Sequence, residues 1–140
     1  RSVSAFLLNR SSDLSKYVKD GLVDLFRLDY ENDNDIDVKR IIAWGYLVNC
    51  KPNDAERVYD WIVNSDRAID SDWLNCGYVK FILSKTAEAV RCFQRFVEQN
   101  EATGQRELLK RELANDWKIL SKNGVKDYEA HLIVDIVMTK

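Results

Sequence analysis

The 140-residue sequence contains few of the residues on which most enzyme sites depend: one histidine, one proline and one methionine. With His131 as the only histidine, a histidine-based catalytic triad or a zinc site would lack its usual residues. The sequence also contains no glycine-rich phosphate loop, no GxSxG nucleophile elbow and no HExxH helix. We therefore expect a protein that is not an enzyme and that needs no cofactor and no metal.

Cysteine is scarce and irregularly placed. Cys50, Cys76 and Cys92 are an odd number, lie far apart and form no CxxC pair. Buried free thiols in a reducing compartment explain this pattern, and they favour a cytoplasmic location.

Charge of one sign is also lacking. The 21 basic and 23 acidic side chains are mixed along the chain and give a formal charge of −2, so we expect no nucleic-acid partner.

The longest apolar runs, residues 41–48 and 131–138, are too short to span a bilayer, and no segment resembles a signal peptide. We therefore expect no membrane partner. The first residue is Arg1 and not Met, which suggests a processed product or a domain of a longer protein.

What the chain does have is a composition that favours helix. Five glycines, one proline and many Leu, Ala, Lys, Glu and Arg residues predict an all-α fold without a sheet. The 46% hydrophobic content is enough for one domain with a buried core.

An acidic segment at residues 29–37 invites a calcium-loop interpretation. Read from Asp29 as an EF-hand loop, it has Asn34 at the turn glycine and Arg40 at the closing glutamate, and the register from Asp33 fares no better. We instead expect a polar linker in which Asp33 or Asp35 caps the following helix.

The strongest pattern is a spacing of small and aromatic residues. Trp73, Gly77, Ala89 and Phe93 are spaced so that two short antiparallel helices can touch along small residues. At a constant 34-residue interval, Ala43, Ala55 and Tyr59 precede the last three of them. Further pairs at the same interval are Leu47 with Phe81, Val48 with Ile82, Lys51 with Lys85, Arg57 with Arg91, Ile62 with Phe96 and Val63 with Val97. We expect that enlarging Gly77 or Ala89 to Leu would cost about 1–3 kcal/mol by overpacking.

In this period and pattern the chain resembles the tetratricopeptide repeat family, chiefly over residues 36–103. The resemblance implies a right-handed α–α superhelix of antiparallel hairpins, with roughly seven or eight helices in this chain. It divides the chain into a partial repeat at residues 1–35, complete repeats at 36–69 and 70–103, and a divergent capping pair at 104–140. In that pair we predict one longer helix from about Gly104 to Asn123 and a last helix from about Asp127.

The resemblance also implies a function, which is to hold a peptide or helix of a partner protein in a groove lined by the first helix of each repeat. The groove positions of the family fall in this chain on Arg40, Trp44, Leu47, Leu74, Asn75, Tyr78 and Phe81. The family's clamp for a C-terminal carboxylate is matched only in part, by Arg40 and Asn75, because Trp44 stands where an Asn would be needed. The alternative is that the N-terminal helices cover these aromatic residues and bury them as core.

Two further functions stay open at this point. The apolar stripe of the last helix predicts that a second copy of the chain could pair there, which would make the domain a structural or homodimerisation element. The domain could also regulate or position other parts of a larger protein.

Overall fold

The computed structural model describes residues 34–100 and 104–139. Within these ranges the chain forms seven helices and no strand, which confirms the all-α prediction. The predicted partial repeat falls, apart from residues 34 and 35, outside the described residues. The helices are α1 (Ile36–Val48), α2 (Pro52–Val63), α3 (Asp70–Ile82), α4 (Thr86–Glu98), α5 (Gln105–Asn115), α6 (Trp117–Lys122) and α7 (Asp127–Thr139).

The helix bounds recur at the interval that the sequence pattern has. Both ends of α3 follow those of α1 by that interval, and the start of α4 follows the start of α2 by the same interval. Along the chain α1 packs against α2, α2 against α3, and α3 against α4, while α7 packs on both α4 and α5. The first four helices are therefore antiparallel neighbours joined by short connections.

The turn inside each hairpin has one conformation. Cys50, Ser84 and Gly124 all have positive φ, at 57°, 62° and 95°. After each of them, an N–H donates to a carbonyl oxygen five residues back, which satisfies the end of the preceding helix as a Schellman motif does. The bonds are Lys51 N to Tyr46 O (2.9 Å), Lys85 N to Lys80 O (2.8 Å) and Val125 N to Leu120 O (3.0 Å).

The starts of α1 and α2 have local causes, and the first of them confirms a prediction. The Asp35 carboxylate accepts the N–H groups of Asp37 (3.0 Å) and Val38 (3.3 Å), so Asp35 caps α1. Pro52 is the first residue of α2, where its missing N–H leaves no hydrogen bond unmade.

The hairpin of α3 and α4 closes around Gly77. A Cβ atom added there would lie 2.6 Å from Cε1 of Phe93, so only glycine fits at this separation of the helices. The Phe93 ring is itself fully buried and meets Tyr78 and Phe81 edge to face, with centroid distances of 6.0 and 6.5 Å. This cluster lies inside one continuous hydrophobic core.

The predicted single helix from Gly104 to Asn123 is wrong, because the segment forms two helices that meet at Asp116. Asp116 leaves helical geometry, with φ −101° and ψ 12°, and is almost fully buried. Its carboxylate accepts a hydrogen bond from the Tyr78 hydroxyl at 2.7 Å. Aspartate is a weak helix former, and this tertiary contact turns the backbone at that point.

The C-terminal end of α6 is hydrogen-bonded to the C-terminal end of α1. The Asn123 side-chain amide donates to the Leu47 carbonyl oxygen at 3.0 Å, and Lys122 Nζ donates to the Val48 carbonyl oxygen at 3.0 Å. Side chains from a distant part of the sequence thus donate hydrogen bonds to two carbonyl groups in the last turn of α1. We call these two hydrogen bonds the clasp.

None of the helices in the described ranges combines the length and apolar content needed to cross a bilayer. The right-handed superhelical arrangement stays a prediction.

Candidate functional site

The seven predicted groove residues do not line an open surface. Leu47, Leu74, Asn75 and Tyr78 are fully buried, Arg40 and Trp44 are 8% and 6% exposed, and Phe81 is half-buried. This burial agrees with the alternative that these side chains belong to the core. The N-terminal helices that the alternative predicts as their cover lie outside the described residues. A partner that reached them would have to displace the helices packed on them.

Arg40 is the anchor of a buried ion pair that links α1 to α3. Its Nε and Nη2 donate to the two carboxylate oxygens of Asp72, each at 2.9 Å, and Nη2 also donates to the Arg67 carbonyl oxygen at 3.1 Å. Burial lowers the pKa of Arg40, but the hydrogen bonds and charges of Asp72 and Asp37 outweigh it and raise the pKa overall. The guanidinium is therefore fixed as a structural cation and is not free to bind a ligand.

Asp72 also orders the backbone before α3. Its Oδ2 accepts the N–H of Ile69 at 2.9 Å, so one fully buried carboxylate serves both the ion pair and the start of the helix.

Polar groups also line the contact between α3 and α5. Within the described residues, the Asn75 amide, the Tyr59 hydroxyl and Oε2 of Glu112 have no hydrogen-bond partner although they are buried. Burial, and then the neighbouring Asp116 charge, raise the pKa of Glu112. Burial also raises the pKa of Tyr78, whose hydroxyl donates to Asp116. This part of the core carries polar groups at a cost in stability.

Lys80 forms a second ionic cluster, between α3 and α2. Its Nζ lies 2.8 Å from Oε2 of Glu56 and 3.0 Å from Oδ1 of Asp60. Burial lowers the pKa of Lys80, but hydrogen bonds to these two carboxylates outweigh it and raise the pKa overall. Burial raises the pKa of Glu56, but the hydrogen bonds from Lys80 and Lys85 lower it by more, so the pKa of Glu56 decreases overall. The cluster fastens α2 to α3.

A cleft of about 420 Å³ opens beside this cluster, between α2, α3 and α4. Trp73 forms one wall, and the Arg95 guanidinium lies over its ring with 4.6 Å between the guanidinium carbon and the ring centroid. Cys76 and Cys92 line the same cleft together with Lys80. We call this the thiol cleft.

A second groove, of about 350 Å³, lies between α5, α6 and α7. We call it the terminal groove, and its lining is mainly apolar. The side chains that line it are Lys110, Leu113, Ala114, Trp117, Asp127, Ala130, His131 and Val134. Beside it on α7, Tyr128 and Leu132 are 61% and 54% exposed, so apolar surface continues past the rim.

Comparisons with known protein families, curated proteins and solved structures found no relative of this chain. No family model, no curated protein and no solved structure matches the chain. Function is therefore inferred from the residues themselves.

Sequence reasoning missed Asp72, Lys80 and Asp116, the charged residues that organise the interior. A signal was present for Asp72 and Lys80, because both interrupt apolar helix faces and carry charges opposite to Arg40 and Glu56. The cysteine prediction holds for Cys76 and Cys92, which are buried, and is wrong for Cys50, which is exposed. Within residues 34–100 and 104–139, no three His, Cys, Asp or Glu side chains cluster as metal ligands.

Proposed function

We propose that the chain is a non-enzymatic protein-interaction module of the tetratricopeptide type, and that it takes an amphipathic helix of a partner protein in the terminal groove. One observation carries the proposal. The groove lies beside residues of α7 whose equivalents on α2 and α4 pack against neighbouring helices.

The two earlier hairpins define that place. On α2, the face with Glu56 and Asp60 receives α3 through Lys80. On α4, the carbonyl oxygen of Val97 accepts a hydrogen bond from the side-chain amide of Gln105 on α5 at 2.8 Å. In both cases a helix lies against the second helix of the preceding hairpin.

Equivalent hydrogen bonds after the three turns indicate which residues of α7 correspond to residues of α2. At each hairpin an alanine N–H donates to a lysine carbonyl oxygen four residues back. The bonds are Ala55 N to Lys51 O (3.0 Å), Ala89 N to Lys85 O (2.9 Å) and Ala130 N to Lys126 O (3.2 Å). Counted from these alanines, His131 corresponds to Glu56 and Val134 to Tyr59, and both His131 and Val134 line the terminal groove. His131 is thus the equivalent of one residue of the helix-receiving face of α2, and Val134 is the equivalent of Phe93, which contacts α3 within its own hairpin. The groove therefore lies beside positions at which the second helices of the earlier hairpins pack against neighbouring helices.

The lining defines the chemistry of the occupant. Trp117, Ala114 and Ala130 are only partly buried or exposed and offer apolar surface to a helix with apolar residues at i, i+3, i+4 and i+7. The buried Leu113 and Val134 lie beneath this surface. Lys110 and Asp127 place one charge of each sign at the groove, so a partner helix with opposite charges flanking its apolar stripe fits best.

The test uses a displayed library of randomised amphipathic helices, selected on the whole chain. We expect selected sequences to share an apolar helical stripe. Ala130→Arg places a long charged side chain in the groove and should weaken their binding at least roughly tenfold, or about 1.4 kcal/mol. The matched control is Leu132→Arg, which adds the same side chain to the adjacent exposed face and should leave binding unchanged.

Circular dichroism should show that both variants keep the wild-type helix content. Selected helices that bind Ala130→Arg as tightly as wild type would exclude the terminal groove. Selection of extended, non-helical sequences alone would exclude the helix as its occupant.

The exposed pair on α7 supports a second candidate function, homodimerisation. Tyr128 and Leu132 lie one helical turn apart, and in a soluble assembly two such faces can bury each other. Sedimentation equilibrium of wild type and Leu132→Arg tests this: a dimer that becomes a monomer in the variant supports it, and a monomeric wild type at high concentration contradicts it.

A further inference from the structure

Two cysteines face each other across the α3–α4 hairpin. Cys76 and Cys92 lie eight residues before and eight residues after Ser84, the positive-φ residue of the turn. In an antiparallel pair of helices, residues equidistant from the turn are neighbours. The two thiols line one cleft, and both residues are at least nine-tenths buried.

The separation of the helices suits a covalent link at this level. The next residue along each helix is Gly77 and Phe93, where an added Cβ would lie 2.6 Å from the aromatic ring. The Phe93 side chain of α4 thus reaches the backbone of α3 one residue from Cys76, and close packing of the two helices is what a disulfide between them needs.

A small reagent can reach the pair through the thiol cleft, since Cys76 and Cys92 both line it. Lys80 lines the same cleft and carries a positive charge. Interaction with the Cys76 thiol, and then the Lys80 charge, lower the pKa of Cys92, against the effects of burial and of the Asp60 and Glu88 charges. Cys92 is therefore the better nucleophile of the two, because the thiolate is the reactive form.

We propose that Cys76 and Cys92 form an oxidation site, which a hydroperoxide converts into a reversible disulfide between α3 and α4. The Cys92 thiolate attacks one peroxide oxygen and breaks the O–O bond, which gives a sulfenic acid and releases hydroxide. The Cys76 sulfur then attacks the sulfenic sulfur, and the S–O bond breaks as water leaves. In total, two thiols and one hydrogen peroxide give one disulfide and two waters.

Cys50 provides an internal contrast. It is exposed, and its thiol donates to the Lys122 carbonyl oxygen at 3.7 Å. Neither of the other cysteines lies next to it, since both line the thiol cleft on α3 and α4. Its oxidation would therefore stop at a species that blocks one thiol.

The experiment treats the full chain carrying Cys50→Ser with hydrogen peroxide and then alkylates it under denaturing conditions. We expect a mass loss of about 2 Da with neither thiol alkylated, a cross-linked pair of tryptic peptides, and full recovery of both thiols with dithiothreitol. Two alkylated thiols after treatment would overturn the proposal. Oxygen added at Cys92 without a cross-link would overturn it as well.

Single variants separate the two roles. With Cys76→Ser added, dimedone should trap a sulfenic acid on Cys92, because the second sulfur is missing. With Cys92→Ser added, dimedone labelling of Cys76 should be lost. Equal labelling of both variants would show that Cys92 is not the attacking thiol and would overturn the assignment. Circular dichroism checks that both variants fold. These measurements need no partner, so they are independent of the proposed helix-binding function.

Discussion

Replacing Gly77 with alanine tests the closest contact in the α3–α4 hairpin. The added Cβ would meet the side of the Phe93 ring, at 2.6 Å from Cε1 and 2.7 Å from Cδ1. The ring cannot easily move away, because it is fully buried and packed edge to face against Tyr78 and Phe81. Either the ring leaves its preferred position or α3 and α4 separate.

Two opposing effects set the magnitude. Alanine is a better helix former than glycine, which would stabilise the folded state by about 1 kcal/mol. Overpacking of a dense core costs about 1–3 kcal/mol. We therefore expect the free energy of unfolding to fall by about 1 kcal/mol, within a range of roughly 0–2. Urea denaturation followed by circular dichroism measures this, and the midpoint temperature should fall by about 2–4 °C.

A double-mutant cycle identifies the cause. Phe93→Leu removes the ring that the new Cβ meets, so Gly77→Ala should be stabilising in that background. The coupling between the two substitutions should be at least about 1 kcal/mol. A single variant Gly77→Ala that is about 1 kcal/mol more stable than wild type, as helix propensity alone predicts, would refute the close-contact explanation.

Two further predictions concern buried charge. Asp72→Asn leaves the Arg40 guanidinium without its buried counter-charge and should lower the free energy of unfolding, measured by urea denaturation, by about 3–5 kcal/mol. The control Asp37→Asn changes a half-exposed carboxylate and should lower it by less than about 1 kcal/mol. Similar losses in the two variants would contradict the structural role of the Arg40–Asp72 pair. Glu112 has a pKa raised by burial and by Asp116, so the folded state holds its proton at a pH at which the unfolded chain has lost it. Stability should therefore fall as the pH rises above about 4.5 toward the folded-state pKa, and Glu112→Gln should lessen this fall; an unchanged difference between the two denaturation profiles across that range would contradict it.

The helices between residues 36 and 98 were predictable because their signals are local. Asp35 before α1 and Pro52 at the start of α2 each act within a few residues of where they stand. The residues that match at the 34-residue interval likewise act within their own helices. Local signals of this kind determine where helices begin and end.

The burial of the predicted groove residues was not predictable in the same way. The positions of Trp44 and Tyr78 on their helices follow from the sequence, but their exposure depends on which parts of the chain pack on them. For Tyr78 these include Asp116, 38 positions away, whose carboxylate accepts a hydrogen bond from the Tyr78 hydroxyl. The break in the helix at Asp116 has the same distant cause, so the periodicity gave no sign of it.

The clasp between α6 and α1 affects how the domain loses its structure. In an array in which each hairpin touches only the next, the outermost helices can melt one after another. Here the Asn123 and Lys122 side chains hold the far end of α1, so the hairpins from α1 to α6 form a closed loop of contacts. Melting of α6 would therefore also remove two hydrogen bonds from the last turn of α1, so the loss of these two helices should be coupled.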